Sequence, residues 1–155
     1  MSEFEGSKDM PLLNEDDLER AVARMREAGT DLSSFELKDA SGGFPSSTCE
    51  TISAFANTAG GSIIFGITER GFHVVHNLNI KTTQASCAQA ARELVEPPVA
   101  LDIQVMRFEG KLVVIANVPE AAARQKPCYV KKLGQMGGSF IRTGDGDHKM
   151  SQYEI

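Results

Sequence analysis

Apolar positions along the chain recur first at helical spacing and then in alternation. Leu18, Ala21, Val22 and Met25 share one face of a helix that Asn14 can cap. Glu15, Asp16 and Asp17 suit its positive end and Gly29 can stop it. "SFELKDA" then alternates, with Phe35 and Leu37 facing one way and Glu36 and Lys38 the other, as in a half-buried strand. After a loop at 41–45, the capping box Ser47-x-x-Glu50 opens a second helix with Cys49, Ile52, Phe55 and Ala56 on its apolar face. Gly60-Gly61 ends that helix, and 62–67 reads as a buried strand.

The pattern predicts another strand in "GFHVVHNL" and a third helix over 82–95, stopped by Pro97-Pro98. "LDIQVMRF" and "KLVVIANV" flank Glu109-Gly110 as a hairpin. "CYVKK" and "SFIR" are expected to pair across a glycine-rich turn, and "RTGDGDHK" to be a polar turn. Ser151-x-x-Glu154 is a capping box, one residue from the last residue given, and predicts a helix that continues in a longer protein. The order is α, β, α, β, β, α, then a run of β. The expected fold class is therefore α+β, a mixed curved sheet flanked by about three to four helices. Residues 1–13 are read as a flexible lead-in and 14–155 as one domain.

Composition narrows the class. Of 155 residues, 41% are hydrophobic and 24% charged, as in an ordinary globular domain. No apolar run suits a membrane span and no signal peptide is evident, so a cytoplasmic protein without a membrane partner is expected. Cys49, Cys87 and Cys128 are widely spaced and read as reduced core thiols, not zinc ligands. The net charge of −5 argues against a non-specific nucleic-acid binder. The charge is uneven, however: residues 1–30 carry −4 and residues 124–149 carry +4, which allows a local basic face.

Three segments are candidates for chemistry. Asp31, Glu36 and Lys38 form the first: two carboxylates and a lysine can hold Mg²⁺ or Mn²⁺ beside a phosphate. Glu69 supplies a third carboxylate if its strand pairs beside the first. Spacing alone favours a surface ion pair at a sheet edge. Gly60-Gly61 follows a helix C-terminus, whose polarity repels phosphate, so a C-cap and close packing are expected there. No Gly-Lys-Ser/Thr is present, and ATP binding within the domain is not expected. Arg142, at a strand end, reads either as a phosphate contact or as a solvated arginine. His73, His76 and His148 form no ligand or catalytic pair.

Four blocks run in order: "DLSSFELK", "ISAFANTAGGSIIFGITERG", "LVVIANVPEAAARQKPCYVKK" and "SFIRTGDGDHKMSQYEI". Together they resemble the Schlafen AlbA-like domain, also described as a divergent AAA-type domain, over roughly residues 30–155. The resemblance implies a DNA-binding module at the N-terminus of a bacterial transcriptional regulator, ahead of further C-terminal domains. In animal Schlafens, related domains form a metal-dependent ribonuclease on three acids. On that pattern Asp31 matches the first acid with Asp for Glu, Glu36 the second, Lys38 the lysine, and Glu69 the third with Glu for Asp. Leu37 replaces the usual Phe. The animal enzymes pair two such lobes, so this chain would need a homo-oligomer.

Three functions follow as expectations. The first is a nucleic-acid-binding module, with DNA ahead of RNA, using Lys38, Arg70, Lys131, Lys132 and Arg142 and no catalysis. The alternative is a Mg²⁺- or Mn²⁺-dependent nuclease with Asp31, Glu36, Glu69 and Lys38 as catalytic residues. The third is a dimerisation platform that transmits a signal.

Overall fold

The structure is a computed structural model that describes residues 11–144 and 146–155. Its centre is an open four-stranded sheet in the order β1-β2-β5-β4. β1 (Phe35–Lys38) and β2 (Gly61–Phe65) run parallel, joined by a crossover through α2 (Thr48–Asn57). β4 (Asp102–Phe108) and β5 (Lys111–Val118) add antiparallel beyond β2. Glu109 and Gly110 both have positive φ, which gives the tight turn that the β4–β5 hairpin needs.

Alternation along the strands divides two cores. Leu37, Ile64, Val113 and Ile115 pack under α1 (Glu15–Ala28) through Leu18, Val22 and Met25. Ile63, Phe65, Val114 and Ala116 pack on the other face against Ile52 and Phe55 of α2 and Cys87 of α3 (Ile80–Gln89). The sheet is thus buried between helical layers on both sides. α1 begins and ends as expected: Asn14 accepts from the Asp17 amide, and Gly29 takes a left-handed conformation.

The expected curved sheet is not present. The later strands leave the central sheet and form two separate ribbons, β3 (Val95–Glu96) with β6 (Tyr129–Val130), and β7 (Phe140–Thr143) with β8 (Gly146–Lys149). Beyond Glu96 and Tyr129 this ladder would continue through Pro97, Pro98 and Pro127, which have no N–H to donate, and through Cys128, whose amide donates to Asn57 Oδ1 instead. The expected pairing of "CYVKK" with "SFIR" shrinks to a single bridge between Tyr129 and Ser139. Between them lies α4 (Gly134–Gly138).

Three local expectations also change. "RTGDGDHK" is not a plain turn but the end of β7, a turn and the whole of β8. "GFHVVHNL" contributes one bridge, Ile67 to Val74, and no strand among the described residues. The third helix starts two residues early, capped by Asn79, and relaxes into a π-helical turn at Ala90–Leu94. At residues 151–154, Glu154 Oε1 accepts from the Ser151 amide, the reciprocal bond of the capping-box motif.

Most of the anticipated lead-in, residues 1–10, lies outside the described residues. Leu12, by contrast, is 3% exposed, and its amide and carbonyl both bond the Asn117 side chain. All three cysteines are free and buried. No described helix is long and apolar enough to cross a membrane.

Candidate metal centre

Glycine pairs set the path into the site. An added Cβ at Gly60 would lie 2.7 Å from the Val118 carbonyl, and one at Gly61 would lie 2.5 Å from the Phe55 ring. Gly60 also has a φ of +75°. The pair lets the chain leave α2 and turn directly into β2 against the Phe55 face. Parallel pairing then aligns β2 with β1, with Lys38 opposite Phe65. Glu69 follows four residues later, beyond the C-terminal end of this pair.

β1 is an edge strand, and its outer amides need partners. A turn over Leu32–Phe35 folds the preceding segment back, so that Asp31 Oδ2 meets the Leu37 amide at 3.4 Å. Asp31, Glu36 and Glu69 then each offer a carboxylate oxygen, and these oxygens lie within 4.8 Å of one another. The three acids anticipated as metal ligands are therefore brought together by two segments 33 residues apart in sequence, Glu36 to Glu69.

The cluster is electrostatically loaded. Burial first, then the charges of Glu36 and Glu69, push the Asp31 carboxyl from 3.8 up to about 7; the Leu37 amide and Arg142 pull the other way. Asp31 Oδ1 is buried and has no hydrogen-bond partner. An orphaned oxygen beside two further carboxylates is a set of hard donors that suits Mg²⁺ or Mn²⁺. The residues present fit such an ion.

Lys38 lies within this group. It is 7% exposed, donates to Ser47 Oγ at 2.9 Å and stands 3.7 Å from Glu36 Oε2. Ser47 therefore does not cap α2 as its capping-box motif predicts; its hydroxyl accepts from the lysine instead. A cavity of about 620 Å³ opens here, lined by Lys38, Ser47, Glu69, Arg70 and His73. Arg70 and Glu69 are exposed at its side.

Arg142 is not the solvent-facing phosphate contact expected. Its side chain is 1% exposed. Nη1 donates to Glu36 Oε1 at 2.7 Å and to Asp147 Oδ1 at 2.9 Å, while Nη2 donates to the carbonyls of Phe35 and Leu32. The guanidinium also lies over the Phe55 ring, 4.9 Å from its centroid. Burial opposes its charge, but the bonds to Glu36 and Asp147 outweigh that and raise its pKa above the ordinary value. Arg142 thus supports Glu36 from below and is not available to a ligand. Lys131 and Lys132 are exposed on a short 3₁₀ turn away from the carboxylates, lining a different cavity.

Sequence reading missed the residues that hold Arg142 in place. Asn57 accepts from the Cys128 amide and donates to the carbonyls of Cys128 and Phe140. Thr58 Oγ1 accepts from the Arg142 amide, and Ser53 Oγ accepts from the Phe140 amide. Thr51 donates to Asp147. One face of α2 and its C-cap therefore fastens β7 beneath β1. The available signal was a run of polar side chains, Thr51, Ser53, Asn57 and Thr58, inside an otherwise apolar helix end.

Comparison with known proteins agrees with this architecture. The family model described as Schlafen, AlbA_2 matches residues 31–151. No curated protein matches the chain. Among solved structures, the chain is similar to the N-terminal domain of a RecG-related protein from Nitrosomonas europaea, at 25% identity and a TM-score of 0.61. That match covers 84% of this chain and 91% of the other. It is also similar in fold to the DIP2311 protein of Corynebacterium diphtheriae, at 19% identity and a TM-score of 0.56, over 88% of this chain but only 27% of that one. With a family match running from the first carboxylate of the cluster to beyond β8, the chain belongs to the Schlafen AlbA_2 family.

Proposed function

We propose that the domain is a Mg²⁺- or Mn²⁺-dependent nuclease acting on nucleic acid. The observation that carries this reading is the approach of Asp31, Glu36 and Glu69 to within 4.8 Å. A divalent ion held there would polarise a phosphoryl oxygen and lower the pKa of a bound water. Asp31, Glu36 and Glu69 would hold it. Lys38 places a cation next to Glu36, at the floor of the 620 Å³ cavity, where negative charge on a phosphate would develop. Arg142, bound to Glu36 from behind, keeps that carboxylate in one orientation and touches no substrate.

The test is cleavage of labelled RNA and DNA oligonucleotides with Mn²⁺ or Mg²⁺. The expected result is cleavage that EDTA abolishes and Glu36→Gln removes. Unchanged cleavage by Glu36→Gln would exclude this site.

A binding-only module of a transcriptional regulator is the second reading. It is favoured by the exposure of Arg70, Lys131 and Lys132, and by the RecG-related neighbour, whose name relates it to a DNA helicase. This reading predicts affinity that falls steeply with salt, without strand cleavage at any metal concentration.

A further inference from the structure

A second cavity adjoins the carboxylate groove. It measures about 440 Å³, within the range of small-molecule sites. Pro45 lines both cavities, so the loop after β1 forms their common wall. The second cavity is chemically different from the first. Phe44, which stacks on Phe65 with centroids 5.5 Å apart, contributes to its lining. Leu94 and Leu133 line it too, and they are 43% and 45% exposed. Two large apolar side chains that the fold leaves in water therefore meet at one concave place, which marks a binding surface more than chance exposure does.

Charge surrounds this apolar lining. Lys131 and Lys132 are exposed in the same cavity. Lys131 approaches Glu96 at 3.8 Å, but both side chains are about half exposed, so the pair holds the lysine only weakly. Glu50 and Glu93 also line the cavity and can accept hydrogen bonds from amino groups. An apolar slot with cations and carboxylate acceptors around it matches a nucleobase attached to a phosphate backbone. It matches neither an acyl chain nor a bare phosphate.

We propose that this cavity binds one base of a single strand whose neighbouring phosphate lies at the Asp31–Glu36–Glu69 cluster. The inference rests on the nucleic-acid reading of that cluster, and it adds that the strand must be unpaired: a base inside a duplex cannot enter a slot. Lys131 and Lys132 act on the phosphate on the other side of that base. Pro45 is the ridge over which the backbone passes.

The test is an abasic walk. A fluorescent single-stranded RNA is moved, one abasic site at a time, past the protein in EDTA, and affinity is read by anisotropy. Wild type is expected to lose roughly tenfold or more at one position and little elsewhere. Leu133→Asp, an exposed substitution, and Leu94→Ser are each expected to weaken the intact strand and flatten that step. Lys131→Ala with Lys132→Ala should weaken all strands alike and shallow the salt dependence, leaving the step in place. A flat walk in wild type, no binding of any strand, or a step that survives in both apolar variants overturns the proposal. Since EDTA removes cleavage from the measurement, a retained step with no nuclease activity in Mn²⁺ would overturn the nuclease reading alone.

Discussion

The Arg142 guanidinium lies 2.7 Å from the Glu36 carboxylate, across 106 residues of chain. This bond ties the last ribbon of the fold to the edge strand that carries the metal cluster. With Asp147 and two backbone carbonyls it uses both terminal nitrogens of the arginine. Replacing the arginine with Met leaves Asp147 without this cation and Glu36 with only Lys38, at 3.7 Å. Arg142→Met is expected to lose about 3–5 kcal/mol of stability, read from the urea midpoint by circular dichroism. Arg142→Lys keeps the charge and loses the fork, and should weaken Mn²⁺ binding by roughly tenfold or more. A folded Arg142→Lys protein that binds Mn²⁺ like wild type would mean the arginine does not orient Glu36.

Asp31 makes stability depend on pH. Its carboxyl is raised from 3.8 to about 7 in the folded protein, by burial and then by Glu36. Between those values the folded chain holds a proton that the unfolded chain has released. The contribution is therefore complete below pH 3.8 and lost as pH rises through about 7. Asp31→Asn removes the charge that burial opposes. In the metal-free protein it should add ~2–4 kcal/mol at pH 8 and nothing at pH 3.5, measured by calorimetry. An equal effect at both pH values would contradict this origin.

A metal that binds only the folded chain stabilises it by mass action. Mn²⁺ at one hundred times its dissociation constant should add about 2.7 kcal/mol, and EDTA should reverse the gain. Glu69 is the exposed member of the cluster, so Glu69→Gln leaves the fold intact while abolishing the Mn²⁺-dependent shift. A Tm that rises equally with Mn²⁺ in Glu69→Gln would place the ion elsewhere.

Gly61 tests the packing between α2 and β2. A methyl there would stand 2.5 Å from the ring of fully buried Phe55, on which Arg142 also rests. Gly61→Ala is expected to cost about 1–3 kcal/mol in chemical denaturation. A variant as stable as wild type would show that Phe55 can move aside freely.

Elements stabilised by short-range signals were legible in the chain. The Asn14 and Gly29 caps bound α1, and the apolar stripe between them is buried. Glu109-Gly110 forms the hairpin turn it predicts. Gly60-Gly61 was readable as packing hardware because helix polarity excludes a phosphate there. The failures lie where pairing is chosen at a distance. "SFIR" and "CYVKK" carry strand character, yet nothing local states that one pairs with β8 and the other with β3. The expected curved sheet was an inference from a run of strands; prolines keep the β3–β6 ladder short, and β7 pairs with β8 apart from the central sheet.

The site divides along the same line. Identity and spacing of Asp31, Glu36, Lys38 and Glu69 are properties of the sequence, and residue chemistry alone makes them candidate ligands. Whether they meet depends on parallel pairing of β1 with β2, which the chain achieves only by burying α2 against the sheet. Arg142 illustrates the limit most sharply. A lone arginine at a strand end reads as a solvated cation, because periodicity reports the company a residue keeps along the chain. Its burial is decided by carboxylates and carbonyls from β1 and β8, which can compensate a desolvated charge only once the tertiary fold has brought them around it.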